Sequence, residues 1–381
     1  LAALAAAAGA AAPRWHELSS EYTFEAFLAD FGKTYASAEE HRFRELVFER
    51  NLRAILRHNA DPASAWKKGV NSLSDRTEPE RAALNGYNKA ANAHPVLSAG
   101  RRSELPAVPA RALADLPEAV DWRACSPFTT SELCPLKEQP APSVVTSVKN
   151  QGQCGSCWAF SSTAVLESHF AIATGYLEDL ATQQLVSCAP NTEQCGGTGG
   201  CAGSTGDLAY QYVADNGGIA GEFTYGYMSN YGESLDCDGA RAASQLKSPL
   251  SGYSKPESND AEALMTAVAT VGPVVVNVDA SVWHDYETGV FDECNYDKDV
   301  DINHAVTLVG YGPGYWLVRN SWGPEWGEGG YIKIQREDDL KCGTDSSPLD
   351  GIGCATQPVQ NATVCGCTGI LYEPVYPVVK V

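Results

Sequence analysis

Thirteen cysteines lie along the 381 residues of this chain. No other feature narrows the possible folds so much, because each disulfide pins two backbone points within roughly 4.4–6.8 Å of each other. Cytosolic proteins keep few such bonds, so the count points to an oxidising compartment. An odd number suits six bridges and one free thiol. Apolar residues make up 44 % of the sequence, enough to bury a large core, and the length allows two or three domain-sized units.

The ends and the charge agree with export. The opening "LAALAAAAGAAAPRW" reads as the apolar part of a secretory signal with small residues near a cleavage point at Ala12. Asn361-Ala362-Thr363 is the sole N-glycosylation triplet, making Asn361 the candidate glycosylation site. No later run is apolar for long enough to span a membrane. The expected route is the secretory pathway, ending in a lysosome or vacuole or outside the cell. Residues 1–115 hold 15 basic and 14 acidic side chains, whereas residues 116–381 hold 12 and 33. A body so acidic is not expected to bind nucleic acid, and no membrane partner is expected.

Two helical stretches come first, "FEAFLADFGKTY" at 24–35 and "EEHRFRELVFERNLRAILRHN" at 39–59. In the second, Glu40, Arg44, Val47, Phe48, Asn51, Ile55 and Asn59 recur at three- and four-residue steps and share one face. A face that mixes charge, amide and apolar groups is suited to docking on something specific. Residues 85–115, rich in Ala, Pro and Asn and containing Arg101-Arg102, read as a linker. Globular patterning begins at "LPEAVDW" (116–122). A helical half is expected over about 143–255 and a β half over about 256–381, with no internal repeat.

"QGQCGSCWAF" (151–160) sets Cys154 and Cys157 three apart. A redox pair, half a metal site, or one structural and one reactive thiol are the chemistries this spacing allows. The run after Cys157 is helical up to Gly175, with Ala159, Leu166, Phe170 and Ala173 on one stripe. Cys157 therefore occupies a first turn, where the helix dipole lowers a thiol's pKa. His304 and Asn320 flank two strand-like runs. If the hairpin between them is centred near Gly312, the two side chains face each other. A satisfied structural histidine is the plain alternative. A histidine beside Cys157 would take its proton, Asn320 would orient the ring, and Gln151 could donate to an oxyanion together with the Cys157 N–H.

These motifs, with "HAVTLVGYG" and "NSWGPEWGEGGYIKI", resemble the papain family of cysteine proteases, whose C-G-[SA]-C-[WY] signature with distant His and Asn is a known template. Glu40 to Asn59 match the family's ERFNIN propeptide pattern at every motif position. Gly69, Asn71 and Asp75 in "GVNSLSD" match its G-x-N-x-F-x-D motif, with Leu73 in place of Phe. The resemblance is to a cathepsin L-like proenzyme. It implies an α+β fold: a helical prodomain, then a papain-like body with a helical left domain and a β-barrel right domain. The implied layout is a signal remnant and N-terminal segment (1–19), an inhibitory propeptide (20–84), a linker cleaved near 114–116, and a peptidase domain (116–381).

By the same resemblance Cys157 is the nucleophile, His304 the base and acid, Asn320 the orienter, Gln151 the oxyanion donor, and Trp322 the shield of the His–Asn contact. Bridges Cys154–Cys201, Cys188–Cys237 and Cys294–Cys365 are implied, and a local Cys125–Cys134 loop is expected. Cys154 then reads as structural, and neither metal nor cofactor is expected. Implied partners are protein and peptide substrates, the chain's own propeptide, and cystatin-type inhibitors, acting on a monomer.

The substrate wall departs from the family. Gly155, Ser156 and Gly203 lie on the substrate path, but Ser204 stands where a glycine is usual. Thr205, Gly206, Asn277 and Ala305 would line the pocket for the second residue before the scissile bond. Counting back from Tyr376 puts Glu373 at its base, where a carboxylate could accept arginine. Counting forward from Cys365 gives Ile370. An endopeptidase with an open groove near His304 is expected, and activation is expected to be triggered by acid. The rival is a catalytically inactive relative that binds or inhibits proteases.

Overall fold

The computed structural model describes residues 12–86, 103–138, 140–355 and 361–380. Most of the signal-like opening, and Arg101-Arg102, lie outside them.

Helices Phe24–Phe31 and Ala38–Asn59 start at side-chain caps: Thr23 accepts from the Ala26 N–H and Ser37 from the Glu40 N–H. They close on a small core of Phe24, Phe27, Phe48, Leu52 and Ile55. The mixed face of the second helix docks on the chain's own next segment. Arg44 forks onto Glu80 (2.7 and 2.6 Å), Asn51 donates to Ser74 O (2.9 Å), and Asn59 pairs with both backbone groups of Lys68. Glu40 stands 3.7 Å from Arg44. Asp75 accepts from Lys33 and Tyr35.

The segment then joins the body. Strand Trp66–Lys68 pairs antiparallel with Tyr286–Phe291, and Trp66 is buried against the Tyr286 and Phe291 rings, 6.0 and 5.0 Å away. It forms the edge of a seven-stranded sheet that continues through Tyr331–Gln335, Tyr315–Arg319 and His304–Gly312. Val274–Val278 and Val120–Asp121 both pair with His304–Gly312. The expected barrel is instead an open sheet among the described residues. Its far edges are Trp66–Lys68 and the strands on His304–Gly312, and these are not bonded to each other.

The two halves also exchange their ends. Val120 and Trp122 lie in the β-half core, while Tyr376–Val379 returns to pair with Leu250–Ser254 of the helical half. Between the halves lies helix Cys157–Thr174. It is buried on nearly every side rather than along one stripe, with Ala173 exposed near its end, and it stops at Gly175 with φ 78°.

Six disulfides form: Cys125–Cys134, Cys154–Cys201, Cys188–Cys237, Cys195–Cys354, Cys294–Cys367 and Cys342–Cys365. The implied Cys294–Cys365 pair is corrected. Cys365 lies directly opposite Cys342 in the ladder of Cys342–Asp345 with Ala362–Cys365, and it is Cys367, beyond the turn at Gly366, that bonds Cys294.

Candidate active site

Cys157 is the free cysteine, buried at the start of the central helix. The Ala305 N–H points at its Sγ (3.4 Å), so the strand that begins at His304 lies against the sulfur. His304 Nε2 and Asn320 Oδ1 are 2.8 Å apart. An amide oxygen only accepts, so the ring proton sits on Nε2 and leaves Nδ1 bare. Nδ1 has no hydrogen-bond partner among the described residues. Trp322 lies over the imidazole at 4.9 Å.

The route by which His304 meets Asn320 differs from the expected one. The hairpin turns at Pro313-Gly314, and an extra residue, Val309, shifts the register to Thr307 opposite Arg319. Continuing that register, Asn320 is the diagonal neighbour of His304 rather than the one directly opposed. Diagonal neighbours share a face, and long side chains bridge that gap.

The prosegment covers this centre. Gln151 Nε2 donates to Leu84 O (2.9 Å) as well as to Cys154 O. Two residues on, Gly86 crosses the sulfur with φ 85°, and a Cβ there would lie 2.6 Å from Cys157 Sγ. Only glycine accepts both the left-handed backbone and this approach. Gly155 packs closely on the same residue, since a Cβ there would lie 2.9 Å from Gly86 Cα. With water excluded, burial pushes the Cys157 thiol up to about 11 and pulls His304 down to about 4, the Asn320 bond opposing the latter. Both groups are therefore neutral in this form.

The anchor of the prosegment lies beyond Trp322. Arg81 makes two bonds to Asp285 (3.1 and 2.9 Å), His284 Nε2 donates to Arg81 O (3.0 Å), and Asn71 donates to His284 O (2.8 Å). The Gly69 N–H reaches Asp285 O. His284 stacks on Trp322 (4.9 Å, 7°), so that indole lies between two imidazoles. Burial, then the Arg81 charge, pulls His284 down to about 3. A second basic-on-acidic contact places Arg14 on Glu287 (3.5 Å). Sequence reasoning did not single out Arg81, His284, Asp285 or Gly86. The "LNG" at 84–86, where the linker begins, was the sole local hint.

On the substrate wall, Asn277 and Ala305 are paired across two strands, and Thr205 donates to Asp207. Ser156 bonds the Tyr227 hydroxyl, Ser204 is buried, and Gly206 opens helix Gly206–Asn216. Glu373 lies beside Asn277, whose amide reaches Glu373 O (3.4 Å), whereas Ile370 is buried in the β-half core. Lys255 bonds Glu373 (2.8 Å) and reaches Asp207 (3.3 Å). The Glu373 carboxylate therefore already pairs with a cation in this form.

A helical prosegment lying over a helix-start thiol and a His–Asn pair defines a class: the papain-family proenzyme. Residues 116–352 match the papain family cysteine proteases and residues 24–80 the cathepsin propeptide inhibitor domain (I29). The chain belongs to that family and is a cathepsin L-like cysteine protease with its propeptide. It resembles cathepsin L of Sarcophaga peregrina, 36 % identical over 82 % of this chain and 86 % of that protein. Procathepsin L of Mus musculus is 35 % identical over 86 % and 88 %. Among solved structures, digestive procathepsin L 3 of Tenebrio molitor larval midgut aligns with a TM-score of 0.69 at 29 % identity, covering 93 % of this chain and 97 % of that one.

Proposed function

We propose that Cys157 is the nucleophile of an endopeptidase, His304 its base and then acid, Asn320 the orienter of the ring, and Gln151 with the Cys157 N–H the oxyanion donors. The observation that carries this is the unbridged sulfur at the start of the central helix, with the His304 strand against it.

When the prosegment leaves, water and the helix dipole favour charge, and the Sγ proton passes to the bare Nδ1. The thiolate attacks the substrate carbonyl and a C–S bond forms. The oxyanion takes the Gln151 Nε2 donor that Leu84 O had occupied, together with the Cys157 N–H. Nδ1 returns its proton to the amine as the C–N bond breaks, leaving a thioester. Water then gives a proton to Nδ1 and attacks, and the acid product departs as the thiol is restored. Support for cleavage near 114–116 comes from the exposed turn Leu113–Asp115.

Activation is triggered by acid, through the basic-on-acidic contacts and the buried His284. The protein follows the secretory pathway to a lysosome, vacuole or the exterior, a route that suits six disulfides and the exposed Asn361 as a glycan acceptor. It acts as a monomer open to cystatin-type inhibitors. The test is an epoxysuccinyl reagent on acid-matured enzyme with mass mapping. Label on Cys157 with loss of peptidase activity is expected, and a matured protein that cleaves peptides with Cys157→Ala in place would overturn the assignment.

A further inference from the structure

The groove near His304 is not open as the sequence suggested. After Cys342, a segment (residues 346–355) turns up from the β half, crosses the cleft and is tied to the helical half. Its root is held by Ile352, buried with Val300, Ile302, Ala362 and Val364, and by the Val300 N–H to Thr344 O bond (2.9 Å). Its far end is bonded through Cys354 to Cys195, in the loop between Cys188 and Cys201. Backbone bonds reinforce that end: Gly196 N–H to Gly353 O (2.9 Å), and Ala355 N–H to Glu193 O (3.1 Å).

The crossing lies one step beyond the substrate wall. A side chain on Gly203 would meet Gly86 O on one hand and Gly196 O on the other. One on Gly196 would lie 2.6 Å from Gly351 O, and one on Gly351 would overlap Ile302 O, two residues before His304. Backbone thus runs in close contact from Gly203 through Gly196 and Gly351 to Ile302. Gly351, Gly86 and Cys157 border the same small gap.

We propose that this disulfide-tied strap is a specificity determinant that ends substrate reading at the second residue before the scissile bond. Residues further upstream are turned out of the groove and add no binding energy. Selection rests on the pocket around Asn277 and Ala305 and on the downstream side. The inference rests on the catalytic reading of Cys157 given above.

The experiment uses acid-matured enzyme, its active sites counted by epoxysuccinyl titration. Acyl-blocked peptides share one scissile bond and carry two, three, four or five residues upstream, and a parallel set grows downstream. In the parent, kcat/KM should change less than about threefold beyond two upstream residues. In Cys195→Ser/Cys354→Ser it should rise tenfold or more with the third and fourth. A tenfold rise in the parent, or a flat upstream series in a folded double variant, overturns the proposal. Should the double variant not fold, the parent series decides: flat upstream with a normal downstream gain supports the strap. Failure of Cys157 to label, with no peptide cleaved, would instead sink the catalytic reading.

Discussion

Replacing Arg81 with alanine should unlatch the prosegment. The guanidinium bonds both oxygens of Asp285 and also Leu73 O, and the two side chains are only 11 % and 12 % exposed. Truncation leaves a mostly buried carboxylate without its cation, which costs about 3–5 kcal/mol. Residual exposure favours the lower end, about 3 kcal/mol, or roughly a hundredfold in the opening equilibrium at about 1.4 kcal/mol per tenfold. The readout is the rate at which an epoxysuccinyl reagent modifies Cys157 in intact proenzyme at about pH 7.5, because Gly86 must lift before the sulfur can react. Arg81→Ala should react about a hundredfold faster, and mature enzyme from either chain should have the same kcat/KM. In a double-mutant cycle with Asp285→Ala, the coupling should reach about 2 kcal/mol. A rate within threefold of the parent, or additive single effects, would refute the latch.

His284 should give that latch its pH dependence. Its pKa is about 3 when covered, against an ordinary 6.5, so its contribution to the closed form is full above pH 6.5 and declines as acid protonates the released form. At about pH 5 the loss is roughly 2 kcal/mol, and His284→Gln should flatten self-processing rates between about pH 7 and pH 5; an unchanged slope would exclude the imidazole as sensor. Gly86→Ala should speed zymogen labelling tenfold or more, since the methyl presses on Sγ and the backbone is left-handed; equal labelling rates would show that Gly86 does not seal the thiol. For substrate choice, the parent should prefer Leu or Phe over Arg at the second upstream position, and Lys255→Met should shift kcat/KM towards Arg by freeing Glu373. A parent that favours Arg would contradict the Lys255–Glu373 pairing as the control.

What could be read from sequence was what repeats locally. The three- and four-residue steps from Glu40 to Asn59 marked a helix with placed polar groups, and alternation after Gly272 marked the strands. The same reading brought His304 to Asn320, although by the wrong register, because one bulged residue at Val309 and a turn at Pro313-Gly314 do not register in a count of sixteen. Cys365 and Cys367 were indistinguishable by spacing, and the turn at Gly366 decides which one faces Cys294. Arg81 finds Asp285 across 204 residues, and Cys195 finds Cys354 across 159. No periodicity encodes such distances. They follow from how the folded halves meet.

Maturation also changes the rim of the large sheet. Once Trp66–Lys68 departs, the backbone of Tyr286–Phe291 loses its neighbour on that side, and the hollow that held an indole faces water. Such a rail accepts any extended chain, and the first one at hand is the severed leader itself. The working enzyme must therefore destroy or outrun its own former cover, and a digest buffered back to neutrality before that is done should fall silent again.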